Sequence, residues 1–169
     1  KSFNQPLDKW DTSGIQEMAY AFFECYEFNQ NIDSWDTSEV TYMDGMFDGA
    51  KNFNQPLNSW KTGNVKFMRR MFQGASSFNQ PLDKWDVSRV ETAEMMFKNA
   101  TSFNQPLDMW QISRDCDIND MFLNAPCFSD VKILTLNFAH TNKMRYREYL
   151  KEILGRFDAA QVYAELSGY

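Results

Sequence analysis

Residues 78–102 read Phe-Asn-Gln-Pro-Leu-Asp-Lys-Trp-Asp-Val-Ser-Arg-Val-Glu-Thr-Ala-Glu-Met-Met-Phe-Lys-Asn-Ala-Thr-Ser, and this 25-residue phrase recurs along most of the chain. Its opening Phe-Asn-Gln stands at Phe3, Phe28, Phe53, Phe78 and Phe103. Four copies go on to Pro-Leu and the second to Asn-Ile. A tryptophan follows seven residues after each opening Phe, at Trp10, Trp35, Trp60, Trp85 and Trp110, and these are all five tryptophans of the chain. Twelve residues later comes a further phenylalanine: Phe22, Phe47, Phe72, Phe97 and Phe122. Repetition at a fixed period of this length predicts a solenoid, in which each unit packs on its neighbours alone.

Composition narrows the function classes. The chain has 169 residues, 16% of them aromatic, and a formal net charge of −6. An acidic balance argues against nucleic acid, whose partners carry basic footprints. No run approaches the ~18 apolar residues of a membrane span, so no direct membrane insertion is expected. The opening Lys1-Ser2-Phe3 matches Lys51-Asn52-Phe53, so the chain reads as a fragment or processed form beginning at a repeat boundary. Cys25 holds the position of Ala50, Ala75, Ala100 and Ala125 and reads as a small buried thiol. A bridge between Cys116 and Cys127 is the less favoured alternative, because three cysteines leave one unpaired.

Each unit divides into loop, strand and helix. Phe-Asn-Gln-Pro-Leu is loop, since Pro lacks an amide donor and keeps the residue before it out of the helical region. Around each tryptophan the apolar positions alternate, as in Trp85 and Val87 or Trp110 and Ile112. That spacing predicts a short strand with Trp and its second neighbour facing in. A helix should follow, with Ser13, Ser38 and Ser88 as N-caps and Gln16 and Glu91 at capping-box spacing. The apolar stripe Val40, Met43, Met46, Phe47 and Ala50 recurs at intervals of three and four. Asp48-Gly49 and Gln73-Gly74 lie where such helices should end. In the fifth unit Asp115 stands where Ile15, Val40, Val65 and Val90 supply the first core residue.

The expected fold class is therefore α/β: a repeat solenoid with one short strand and one helix per 25-residue coil. Residues 1–125 form the five repeats. Residues 126–169 read as a C-terminal cap of one strand and helices, carrying basic residues such as Lys143, Arg145 and Arg147. Strands pack ~4.8 Å apart and helices ~8–10 Å apart. A coil with one of each must curve, which makes the strand side a concave binding face. The candidate protein-binding residues on that face are Lys9, Asp11, Ser34, Asp36, Ser59, Lys61, Lys84, Asp86, Met109 and Gln111. They change from coil to coil while their neighbours hold constant.

The consensus Phe-Asn-Gln-Pro-Leu-Asp-x-Trp-Asp-Thr-Ser-x-Val-x-x-Met-x-x-Met-Phe-x-x-Ala resembles the BspA-like leucine-rich-repeat surface proteins, a repeat also described as a mycoplasma lipoprotein motif. The likeness covers about residues 1–125. It implies a leucine-rich-repeat-like fold, a place on a cell surface or a virion, adhesion to other proteins, and no catalytic residues.

Nothing in the residues argues for catalysis. The paired carboxylates Asp8 and Asp11, Asp33 and Asp36, and Asp83 and Asp86 would suit a calcium ladder. Asn58 and Lys61 interrupt it, so a turn-stabilising role is preferred. The Asn and Gln that follow each opening Phe read as amides satisfying backbone groups of their own and adjacent coils. Methionines such as Met43, Met68 and Met96 read as core rather than as a soft-metal site. No cofactor and no metal are expected. The expected role is a non-catalytic protein-interaction or adhesion module of a cell or virion surface. The alternative is a structural block of a capsid or cell coat, self-assembling through the solenoid ends and the cap.

Overall fold

The computed structural model describes residues 2–107 and 109–125. In these residues the chain winds through 25-residue coils that stack in register. The coil path follows from where the backbone amides go. Trp60 N–H bonds the Leu57 carbonyl at 3.2 Å and Val65 N–H bonds the Thr62 carbonyl at 2.9 Å, closing two four-residue turns. Further turns of the same span run from Met68 to Met71, Arg70 to Gln73, Phe72 to Ala75 and Ala75 to Phe78.

The amides between these leave their own coil. Those of Met68, Arg70, Phe72 and Gly74 donate to the carbonyls of Thr92, Glu94, Met96 and Lys98, at 2.8–3.0 Å for the four bonds. The same four bonds join Met43, Gly45, Phe47 and Gly49 to Phe67, Arg69, Met71 and Gln73.

This pattern overturns the expected α/β class. Among the described residues there is no helix. β pairing there is limited to single-residue parallel bridges, which link Glu17, Tyr42, Phe67, Thr92 and Asp117 in one column. A helix would turn every amide back on its own segment. Here every second amide must point at the next coil, so the backbone alternates hand. Tyr20, Gly45, Arg70, Met95 and Asp120 take φ of 53–57°. Glu24, Gly49, Gly74, Asn99 and Asn124 take φ of 53–73°. A left-handed residue with a Cβ costs roughly 1–2 kcal/mol, and the fold offsets this with the inter-coil bonds. Gly49 and Gly74 thus sit inside a continuing path rather than ending a helix.

The proposed helix caps are corrected for the same reason. Ser13 and Ser88 turn their hydroxyls back to Asp11 Oδ1 and Asp86 Oδ1, at 2.7 Å in both cases. The Gln16 carbonyl accepts Thr41 N–H from the next coil at 2.9 Å. The segment around each tryptophan is also not a strand, although its side chains point as expected. Thr12, Thr37, Thr62, Val87 and Ile112 are all buried. Without a helix layer, the argument for a concave strand face has no basis.

The core consists of aromatic columns along the stack. Phe47 and Phe72 lie 5.4 Å apart at 6°, and Phe53 and Phe78 lie 5.9 Å apart at 7°. The two columns zip together where one unit passes into the next, with Phe72 and Phe78 at 4.1 Å. Met43, Met46, Met68, Met71 and Met96 fill the space beside them at 0% exposure, so they pack, although on turns rather than on a helix. Trp35, Trp60, Trp85 and Trp110 form a third column, buried to 7% or less. Trp10 departs from the expectation at 62% exposure, with one face stacked on Trp35 at 6.3 Å.

The fifth coil slips by one residue at a single turn and is back in register at Asp117. Cys116 N–H bonds the Ser113 carbonyl, whereas Val90 N–H bonds that of Val87, 25 residues before Ile112. Cys116 thereby fills the core site that Asp115 vacates and is buried at 5%. It is a free thiol. Its suggested partner Cys127 and the expected cap of residues 126–169 lie outside the described residues.

Candidate functional site

The ten candidate positions flank the tryptophan column, one residue before and one after each indole. All ten reach the surface, with Asp36 half-buried and the others exposed. These positions therefore lie at the surface, along turns rather than along a strand. Their carboxylates are engaged locally. Asp11 Oδ1 accepts the Ser13 amide at 3.1 Å, Asp36 Oδ1 accepts the Ser38 amide at 3.0 Å, and Asp86 Oδ1 accepts the Ser88 amide at 3.0 Å. These bonds from serine hydroxyl and amide hold all three carboxyls below their ordinary range. The residue pair Asp-x-Ser thus caps a turn, in line with the turn-stabilising reading. In the third coil Lys61 and Gly63 replace this pair, and Lys61 Nζ reaches back to Asp36 Oδ1 at 3.9 Å.

A groove of about 1050 Å³ brings four of the ten together. Ser34, Asp36, Ser59 and Lys61 line it with Asp8, Asp33 and the edge of Trp35. Lys9, Asp11, Lys84, Asp86, Met109 and Gln111 lie outside it. Met109 is the most exposed apolar residue of the strip, at 68%. Within the groove Asp33 accepts both the amide and the hydroxyl of Ser59, at 3.0 and 2.7 Å. Much of the polar lining therefore ties one coil to the next.

The amide ladder does the same on another edge. Asn54 Oδ1 accepts Asn79 N–H at 2.9 Å and Gln80 Nε2 at 3.0 Å. The pattern repeats from Asn4, Asn29 and Asn79. These amides satisfy adjacent coils from the surface rather than from inside. No group of three metal-ligating side chains gathers among the described residues. No described helix is long and apolar enough to cross a membrane.

The bridge column went unrecognised at the level of sequence, because its residues fell on the outer side of the expected helix. Glu17, Tyr42, Phe67, Thr92 and Asp117 form a second variable strip. Its signal was the lack of any shared polarity at that phase, with two aromatics among polar residues. Tyr42 is 45% exposed and stacks on Phe67 at 4.8 Å and 5°.

A family model described as "Mycoplasma protein of unknown function, DUF285" matches the chain three times, over residues 1–100, 31–136 and 74–152. The matches run through all five repeats, and the chain belongs to this family. No curated protein and no solved structure matches it.

Proposed function

We propose that this member of the DUF285 family is a non-catalytic protein-interaction module of a cell or virion surface, of the BspA-like leucine-rich-repeat kind, with adhesion as its role. One observation supports the reading. The bonds that stack the coils repeat at 25-residue intervals, whereas the exposed positions beside the tryptophans change from Lys9-Asp11 to Ser34-Asp36, Ser59-Lys61, Lys84-Asp86 and Met109-Gln111. A purely structural ladder has no reason to vary there. A repeat array whose exposed positions change charge and polarity from coil to coil, while its buried phases stay apolar or small, suits a platform adapted to a partner. The groove around Ser34, Asp36, Ser59 and Lys61 lies on that surface and is the first candidate for contact.

The test is affinity capture followed by mass spectrometry, comparing wild type with a Lys61→Glu, Lys84→Glu variant. Both lysines are exposed, so the thermal melt should not move. A protein retained by wild type and lost by the variant supports the reading. Identical captured sets place binding elsewhere. Concentration-dependent self-association in place of capture replaces this reading with the structural block of a coat.

A further inference from the structure

We infer that the bridge column is a docking surface for a basic segment of a partner protein, seated on the Tyr42–Phe67 pair beside the Glu17 carboxylate. The inference rests on the reading of the chain as an interaction module, but assigns the contact to a face that reading does not use.

Tyr42 and Phe67 belong to the second and third coils, so covered coils flank them on both sides. Their exposure is a property of the side of the stack and not of its end. The fold does not need these rings outside. Each bridge is made by backbone alone, and the column accepts Glu17 and Asp117 at the same positions. Tyr42, exposed and held flat against the half-buried Phe67 at 4.8 Å, gives rigid apolar area at little entropic cost.

The charges around the pair select the partner. Lys66 and Arg69 are its neighbouring cations, and each is held by an acid of the next coil. Lys66 Nζ lies 3.2 Å from Glu91 Oε1 and Arg69 Nε lies 2.6 Å from Glu94 Oε2. Among the described residues no ion pair reaches Glu17 or Asp44. Asp44 Oδ1 accepts only the Arg69 backbone amide, at 2.7 Å. Arg69 also acts on Asp44 through its charge, so the carboxylate left without a cation beside the pair is that of Glu17, bridged to Tyr42. Lysine and arginine match both features at once: their methylene stems cover apolar rings while their heads reach carboxylates. The chain already makes such a contact within itself, where Lys51 Nζ lies 5.2 Å over the Tyr26 ring.

The experiment uses fluorescein-labelled hepta-arginine and hepta-lysine peptides in anisotropy titrations at physiological salt. Hepta-arginine should bind more tightly than hepta-lysine, because a planar guanidinium lies flat on a ring over its whole face, whereas an ammonium meets the ring as a point charge. Tyr42→Ser and Glu17→Lys should each weaken hepta-arginine binding by about tenfold. Asp83→Lys makes the same charge change on the tryptophan side and should change binding less than about twofold. Glu17 is exposed and has no structural bond to lose, so this variant reports on binding even if Tyr42→Ser lowers stability. Equal loss in Asp83→Lys and Glu17→Lys would reduce the effect to overall charge and overturn the inference. So would equal affinity of the two peptides with no effect of Tyr42→Ser, or no binding by wild type. None of these outcomes touches the capture experiment with the Lys61→Glu, Lys84→Glu variant, which judges the module reading by itself.

Discussion

The indole N–H of Trp60 donates to the carbonyl of Ile32, 28 residues earlier, at 3.1 Å. Trp35, Trp85 and Trp110 repeat this bond to Leu7, Leu57 and Leu82. Each indole therefore fills its own coil and ties it to the one before. A tryptophan could fill the volume anywhere in the core, but only at this phase does its one donor meet a carbonyl that the preceding turn leaves half-used.

The tryptophans should consequently differ in worth. Trp60→Ala should destabilise the chain by about 3–5 kcal/mol, the cost of emptying a buried aromatic site. Trp10→Ala, at 62% exposure, should cost less than about 1 kcal/mol. Urea unfolding of the two variants measures both. Similar losses would mean that Trp10 is covered in solution.

The shared acceptor Asn54 gives a second test. Asn54→Ala removes the oxygen that receives both Asn79 N–H and Gln80 Nε2. The expected loss is about 1–3 kcal/mol, since two donors lose their partner together. Asn54→Asp keeps the acceptor and should recover most of it. If the aspartate variant is as unstable as the alanine variant, the oxygen is not what matters.

Gly45 separates backbone strain from contact. Its φ is +56°, yet Arg70 and Met95 hold the same conformation with full side chains in later coils. What sets Gly45 apart is that an added Cβ would run into the Tyr20 ring. Gly45→Ala should cost roughly 1–2 kcal/mol from the left-handed backbone, plus the cost of displacing the ring. Adding Tyr20→Ala should remove the second part and leave the first. A double variant no more stable than Gly45→Ala would put the whole effect in the backbone. Calorimetric melts of the single and double variants decide.

Carboxyl titrations should fall in a set order. Serine bonds lower Asp11, Asp36 and Asp86 below the usual 3.8, whereas burial raises Asp44 and Asp48 above it. For the first group the folded state favours the ionised form. Its contribution is present above pH 3.8 and disappears as pH falls through the lower folded values. For Asp44 and Asp48 the folded state favours the proton. Their ionisation works against folding at neutral pH, and this opposition is relieved as pH falls through their raised values. Carboxyl chemical shifts followed by NMR should show Asp44 and Asp48 protonating first on acidification. The reverse order would remove the serine bonds or the burial as the cause.

Burial also pushes the Cys116 thiol up to about 11. Since the thiolate is the nucleophile, Cys116 should react with iodoacetamide at pH 8 far more slowly than a free cysteine in the unfolded chain. Peptide mass mapping of native and urea-unfolded protein compares the two. Equal labelling would show that the fifth coil opens or that Cys116 lies elsewhere than in the core.

The sequence by itself determined the period, the length of each coil and the phase of nearly every buried side chain. Phe72, Trp60, Met68 and Ala75 face the core as their spacing required, because burial follows apolar pattern whatever the backbone does between. It also held, in Gly45, Gly49, Gly74, Asn99 and Asn124, residues suited to left-handed backbone, although two of these positions read equally well as helix ends. The tertiary structure alone decided between helix and turns. Apolar residues at intervals of three and four satisfy an α-helix, and they satisfy a run of four-residue turns equally. The difference lies in the amides of Met68, Arg70, Phe72 and Gly74, whose acceptors stand 24 residues away in the next coil. No local pattern records an acceptor that only stacking supplies. The same choice placed Tyr42 and Phe67 on the bridge column, and with them the surface offered here for a basic partner.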